Sequence, residues 1–487
     1  MAKVANKVDV AIIGAGFGGL GVGIALQNHK LNNFVIFEGE PDVGGSWRTN
    51  TYPGCACDVP SNLYSYSFEP NPYWPEAFSK QSDIQKYIEH CADKYGLRPK
   101  TRFNTKVTSA NFDGAKGSWQ VATSDGTVTE ARVLVPATGA LSHPKYPDIK
   151  GRETYQGEAI HSARWNPEVK LKGKRVGVLG SGASAIQIVP SIAKEVGDLK
   201  VFQRTPSWVL PKRNRSFTAA EHERWAKHPW TQQVRRLGLY WLMETALPGI
   251  MWFPEMLEIG ERLHKQNLNK AIKDPELRRK LTPTYKVACK RTLVSDDWFP
   301  AFARENVHLI TDRIEEITPK GIKTADGKEH ELDVLIYATG YDIGAPAYPF
   351  EIKGLGGVSL SDHWGSQRKA YYGMSVSHFP NMLLIMGPNT GPGHTSVLIY
   401  QEAQYEYVAK YTKLLKKRGL KYYDVKDDMV NRQFEAFQNR MRNSSWLSGC
   451  KSWYLNEDGT NSTMWPGFSF EYILRMKRIN LGAYNAV

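Results

Sequence analysis

The chain has 487 residues, 41% hydrophobic and 23% charged, which fits about three folded domain-sized units and excludes a disordered chain or a small disulfide scaffold. No run of about 18 apolar residues occurs, so no membrane-spanning helix is expected. The net charge of +14 is dispersed in short clusters such as Lys416-Lys417-Arg418, which argues against a nucleic-acid footprint and leaves small phosphate-bearing molecules as the anions to expect.

The first predicted strand, Val8–Ile13, carries Asp9 and is followed by glycines, which suits a strand better than an export signal. It enters Gly14-Ala-Gly16-Phe-Gly18-Gly19 and then a helical pattern from Leu20 to Gln27. Glycines at 14, 16 and 19 permit a tight turn, close backbone approach to a pyrophosphate and close helix–strand packing. The helix N-terminus then offers free N–H groups to phosphates. A second apolar strand, Phe34–Phe37, ends at Glu38, 24 positions after Gly14, where a carboxylate can accept from both ribose hydroxyls of an adenosine. Next comes Gly44-Gly45-Ser-Trp47, continuing through Tyr52-Pro53-Gly54 to Asp58. Glycines beside an indole suit backbone pressed against a flat ring with Trp47 available to stack, and Asp58 can orient a cation. Val133–Pro136 is an apolar strand closed by Ala137-Thr138-Gly139.

Between this unit and a second one lie Tyr155, Gly157, His161, Trp165 and Asn166. The second unit runs from the strand Arg175–Leu179 into Gly180-Ser181-Gly182-Ala183-Ser184-Ala185, with alanine at the third glycine's place. Its next strand, Lys200–Gln203, is followed by Arg204, again 24 positions after the first glycine. Glu38 repels a 2′-phosphate whereas Arg204 attracts one. The first turn should therefore hold an adenosine with free ribose hydroxyls, and the second NADPH, with Thr205 adding a hydroxyl contact. Two dinucleotide turns on one chain imply hydride traffic between cofactors, and FAD is the partner expected in the first.

Residues 214–285 interrupt the second unit. Thr218–Glu221 reads as a capping box, and an apolar aromatic run from Leu237 to Leu247 is expected to stop at Pro248-Gly249. The segment is expected to be a helical insertion giving the site an apolar wall; contact with a membrane surface is the rival reading. Val334–Tyr337 ends in a second Ala-Thr-Gly, Ala338 to Gly340, and Ser396–Arg418 reads as one long helix stopped by Gly419. The expected fold is α/β, with two interleaved Rossmann-like dinucleotide-binding domains and a helical insertion in the NADP domain. Residues 1–145 and 341–487 are assigned to FAD, 146–213 and 286–340 to NADP, and 214–285 to the insertion. The five cysteines, Cys55, Cys57, Cys91, Cys289 and Cys450, lack zinc or Cys-x-x-Cys spacing. All five are expected to be reduced thiols in a cytoplasmic protein, with no metal site.

With these motifs in place, the chain resembles the type I Baeyer–Villiger monooxygenases, a family of class B flavoprotein monooxygenases. The Gly44–Asp58 segment matches that family's pattern at every fixed position. The Gly157–His161–Trp165 segment matches its fingerprint, departing at Tyr155, where phenylalanine is usual, and at Asn166, where proline or aspartate is usual. The resemblance implies tightly bound FAD, NADPH and dioxygen, with a peroxide on the flavin attacking a ketone carbonyl to give an ester or lactone; sulfides are implied as further substrates. It implies FAD contacts from Gly14, Gly16, Gly19, Glu38, Gly45, Trp47, Asp58, Tyr64, Val107 and Asn389, the last in Gly387-Pro388-Asn389. It implies NADP contacts from Gly180, Ser181, Gly182, Ser184, Arg204, Thr205, Lys290 and Trp453. Lys290-Arg291 resembles the family's Lys-Arg pair, so Arg291 is the implied electrostatic catalyst, held by Asp58 over the flavin. His161 is read as organising domain geometry. A monomer acting on a small ketone, without nucleic acid or integral membrane association, is the expectation. The nearest rival is a flavin-containing monooxygenase of nitrogen or sulfur, and Trp165, the Gly44–Asp58 match and Arg291 oppose it. A redox sensor or a basic nucleic-acid-binding protein is the non-enzymatic alternative.

Overall fold

The structure is a computed structural model that describes residues 4–141, 143–342 and 348–487. Residues 1–3, 142 and 343–347 lie outside the described residues.

Two parallel-centred sheets organise the chain. In the first, the central strand Val4–Ile13 pairs in parallel with Phe34–Phe37 on one side and Val128–Pro136 on the other. Val10, Ala11 and Ile12 are wholly buried, the continuous apolar run expected of a strand covered on both faces. An antiparallel meander, Val107–Asp113, Ser118–Thr123 and Val128–Pro136, extends the sheet, and Glu351–Lys353 joins its far edge from much later in the chain. The helix Phe17–Asn28 lies against the long helix Val397–Arg418, which Ser396 caps and Gly419 ends in a left-handed conformation.

The second sheet is all parallel, in the order Val307–Ile310, Asp198–Phe202, Arg175–Leu179, Val334–Tyr337, Glu158–His161. The strand predicted as Lys200–Gln203 thus begins two residues earlier and ends one earlier. The first sheet takes strands from both ends of the sequence that surround the second.

The insertion is helical. Thr218 and Glu221 form the reciprocal capping box, opening the helix Ala219–Lys227. The run expected to stop at Pro248-Gly249 ends its helix earlier, at Glu244, and Pro248 falls in the first turn of a short second helix, Leu247–Met251. A proline costs little there because its missing N–H has no helical partner. Leu237, Trp241 and Leu242 of this run are each more than half exposed, whereas Leu247 is wholly buried. Among the described residues, no helix is long and apolar enough to cross a membrane.

Candidate active site

Each glycine turn is shaped by the Ala-Thr-Gly segment across from it. Gly14 (φ +105°) and Gly180 (φ +117°) occupy backbone conformations costly for any side chain. A Cβ at Gly14 would stand 2.7 Å from the Ala137 carbonyl oxygen, and one at Gly180 2.5 Å from that of Ala338. Glu38, buried at the end of its strand, accepts from the Ala15 amide at 2.6 Å and the Glu40 amide at 2.9 Å. Its carboxylate is thereby aimed at the turn, and burial raises its pKa. The Thr105 amide donates to the Glu38 carbonyl at 2.8 Å, bringing Val107 to the same strand end. The Gly44 amide donates to the Ala15 carbonyl at 3.0 Å, and a Cβ at Gly16 would lie 3.5 Å from the Gly45 Cα, so two glycine turns lie face to face. Trp47 donates from Nε1 to the Tyr64 hydroxyl at 3.0 Å, their rings meeting edge-on.

In the second unit, the Ser181 hydroxyl donates to the Thr205 carbonyl and the Ser207 hydroxyl to the Ser181 carbonyl, both at 2.9 Å. The Gly180–Gly182 turn is thereby stitched to the loop carrying Arg204, while Ser184 immediately precedes the helix Ala185–Ile192 without a side-chain bond to it. Lys290 lies near Arg204, with its Nζ 5.0 Å from the centroid of the Tyr285 ring. Burial, followed by the nearby Arg204 charge, lowers the Lys290 pKa. Neither cation belongs to an ion pair among the described residues.

The Gly44–Asp58 segment also clamps the two units together, which its sequence did not disclose. The Tyr52 hydroxyl donates to Gln187 Oε1 at 3.0 Å, and Gln187 Nε2 donates to the Ala56 carbonyl at 2.9 Å. Gln187 belongs to the helix that follows the second glycine turn. Gly54 (φ +78°) packs on the same helix, where a Cβ would stand 2.6 Å from the Gln187 carbonyl oxygen.

This clamp delivers Asp58 to Arg291. Arg291 Nε donates to Asp58 Oδ2 at 2.9 Å and Nη2 to Oδ1 at 2.8 Å, a two-toothed pair across 233 positions of sequence. The Asp58 charge raises the Arg291 pKa further above its ordinary value, so the guanidinium stays charged. Nη1 is not spent on this pair, and 45% of the side chain remains exposed. Tyr454, absent from the sequence reading, is buried near Arg291; burial pushes its hydroxyl up to about 12 while the guanidinium opposes that shift. Lys212 was also missed. It lies near Asp58 and Cys57, its ammonium 5.2 Å from the Phe78 ring centroid, and burial lowers its pKa. Trp453 stands edge-on to Tyr454 with ring centroids 4.5 Å apart and is 48% exposed, so it is a rim residue rather than a core one.

The cysteine expectation is corrected here. Cys289 and Cys450 form a disulfide, while Cys55, Cys57 and Cys91 are free and buried. Their 161-residue separation hid the pairing, although each cysteine stands beside a singled-out motif: Cys289 precedes Lys290-Arg291, and Cys450 lies three residues before Trp453. The bridge thus ties the loop of the two cations to the loop of the rim tryptophan. Replacing both with serine is expected to remove about 2–4 kcal/mol of stability, typical of disulfides that close long loops. The check is a lower Tm together with slower migration in a non-reducing gel.

His161, buried at its strand end, accepts from the Ala163 amide through Nδ1 at 3.0 Å and turns Nε2 toward the Lys145 carbonyl and Thr339 hydroxyl, both at 3.4 Å. It therefore joins the crossing segment at 145 to the second Ala-Thr-Gly, and burial lowers its pKa. Gly157 lies where a Cβ would stand 2.4 Å from the Tyr155 hydroxyl. Trp165 borders a cleft of about 550 Å³ shared with Arg48, Thr49 and Gln81, so both family patterns meet there. Asn389 spends its side-chain amide on the Asn461 and Met464 carbonyls at 2.7 and 3.0 Å. What it does is fix its loop against residues 461–464.

Residues 7–356 match the model of the flavin-binding monooxygenase-like family. A Baeyer–Villiger monooxygenase of Pseudomonas aeruginosa is 42% identical over 99% of this chain and 92% of its own length. The crystal structure of the OTEMO complex with FAD and NADP superimposes with a TM-score of 0.88 at 27% identity, covering 99% of both chains. Cyclohexanone monooxygenase from Rhodococcus sp. Phi1 bound to NADP+ gives 0.88 at 28% identity, again over 99% of both.

Proposed function

This chain belongs to the flavin-binding monooxygenase-like family as a Baeyer–Villiger monooxygenase, and we propose that Arg291, held by Asp58, is the electrostatic catalyst of its oxygen insertion beside a ketone carbonyl. FAD and NADPH are its cofactors and dioxygen its co-substrate. The residues fit these groups. The glycine face at Gly14, Gly16 and Gly45 leaves backbone exposed where side chains would intrude, and Glu38 presents acceptors but no cation, as a ribose with free hydroxyls requires. Arg204 and Lys290 form a cation pair without a carboxylate, as a 2′-phosphate requires.

When bound, the flavin supplies hydride acceptance from NADPH and activation of dioxygen. The chain's own residues do the rest. Glu38 would bind the adenosine ribose of FAD, with Trp47 and Tyr64 forming an aromatic corner near the ring. The Gly180–Ser184 turn would receive the NADP pyrophosphate, with Arg204, Thr205 and Lys290 at the 2′-phosphate. Negative charge grows on the ketone oxygen as the carbonyl is attacked, and a guanidinium that cannot deprotonate stabilises it without moving. Asp58 aims that guanidinium, and Trp453 restricts water at the rim. His161 and Gln187 hold the two units at the separation this requires.

The observation that carries the reading is the two-toothed Asp58–Arg291 pair, reached from opposite units, with Tyr454 near the guanidinium and Trp453 packed edge-on against Tyr454. The test is a panel of linear, cyclic, aryl and steroidal ketones alongside a thioether, with oxygen uptake and product both measured. Ester or lactone formation coupled to NADPH consumption is the expected result, with sulfoxide as an additional product. Sulfoxide or amine oxide without any ester would assign the chain to nitrogen or sulfur oxidation instead.

A further inference from the structure

The insertion helix Pro229–Glu244 is amphipathic with its polar face turned inward. Gln232, Arg236, Tyr240 and Glu244, spaced four apart, point into the protein. Gln232 donates to the Asn71 carbonyl at 2.6 Å, Arg236 to the carbonyls of Asn62, Leu63 and Ser65, and Ser469 donates to Glu244. Trp230, Val234, Leu237 and Trp241, spaced by four, three and four, form the opposite stripe, and each is more than half exposed. Trp241 meets Phe470, Phe470 stacks on Phe468, and Phe468 meets Trp252, so the apolar surface continues beyond the helix. Leu474, one turn after Phe470, is also more than half exposed. Five apolar side chains, each more than half exposed and accompanied by this run of ring contacts, mark an interaction surface rather than the singly scattered apolar residues of an ordinary monomer.

We propose that this face docks on an anionic phospholipid bilayer, with the Trp230–Trp241 stripe lying in the interface. Charge selects this occupant. Arg475, Lys477 and Arg478 follow Leu474 directly, are exposed, and belong to no ion pair among the described residues. The stripe itself carries no carboxylate, since Glu244 faces inward; Glu255 stands outside it, beyond Trp252 and Phe253. A second copy would bring another basic rim and another net charge of +14 against the first, whereas anionic headgroups attract both. Tryptophans at each end of an apolar helical stripe suit the headgroup level. Under the function proposed above, such docking would place the enzyme where lipophilic ketones dissolve, but the surface stands or falls independently of that reading.

The test is co-sedimentation of the full flavin-loaded chain with vesicles of equimolar phosphatidylcholine and phosphatidylglycerol, and with phosphatidylcholine alone. Binding to the anionic vesicles alone is expected, weakening as salt rises. Leu237→Ser with Trp241→Ser should lower the partition coefficient about tenfold or more, because two apolar side chains leave the interface. Unchanged flavin absorbance and Tm would show that the variant is folded. Failure to bind anionic vesicles, equal binding to both kinds, or undiminished binding by the variant would overturn the proposal. So would a concentration-dependent dimer, seen by ultracentrifugation, that the variant abolishes, since the face would then belong to a second copy.

Discussion

Arg291→Ala is expected to lose ester formation by a factor of about 10²–10³ or more while FAD stays bound and NADPH still bleaches it. The size follows from losing a fixed cation where negative charge develops. The bleaching should survive because hydride transfer precedes the charge that Arg291 meets. NADPH oxidation should then continue with hydrogen peroxide as product, separating loss of chemistry from loss of fold. Arg291→Lys should recover little, since an ammonium is a point charge without the fork that donates two bonds to Asp58 and leaves Nη1 over. Asp58→Asn should cost less and fall mainly on kcat, because the guanidinium remains but loses the carboxylate that aims it. Normal ketone oxygenation by Arg291→Ala would remove Arg291 from the mechanism.

The parts of this site legible in the sequence are those that local spacing encodes. Each glycine turn, the strand it follows and its charged residue, Glu38 in the first unit and Arg204 in the second, lie within a single strand–turn–helix–strand unit, where backbone geometry fixes what 24 positions can reach. The illegible parts are contacts between units. Tyr52 meets Gln187 across 135 positions and Cys289 meets Cys450 across 161, and no periodicity reports on either. Pro248 misled because a proline that ends one helix can equally open another. The Leu237–Leu247 run shows another limit: an apolar run does not say which way it faces, and inward hydrogen bonds from Gln232 and Arg236 leave Leu237 and Trp241 exposed. Asn389 was placed by its motif, yet its amide is spent on residues that only the folded chain brings beside it.

The Arg204–Lys290 pair yields the second large effect. Each cation is expected to contribute a charge-assisted contact to the 2′-phosphate, worth about 1.5–3 kcal/mol, so Arg204→Ala or Lys290→Ala should raise KM for NADPH by about 10–100-fold. KM for NADH should hardly move, because NADH lacks the group these cations meet, and the preference between the coenzymes should collapse. A pH dependence separates the two residues. Burial and the Arg204 charge lower the Lys290 pKa, so rising pH should strip its proton earlier than that of an exposed lysine. KM for NADPH should therefore climb on the alkaline side, while the arginine stays charged throughout. Arg204→Ala removes the repelling neighbour but leaves burial in place. The alkaline rise of this variant should accordingly shift to higher pH from an already elevated KM, whereas Lys290→Ala should abolish the rise. If Arg204→Ala left the alkaline rise where the parent has it, the two side chains would not share one phosphate.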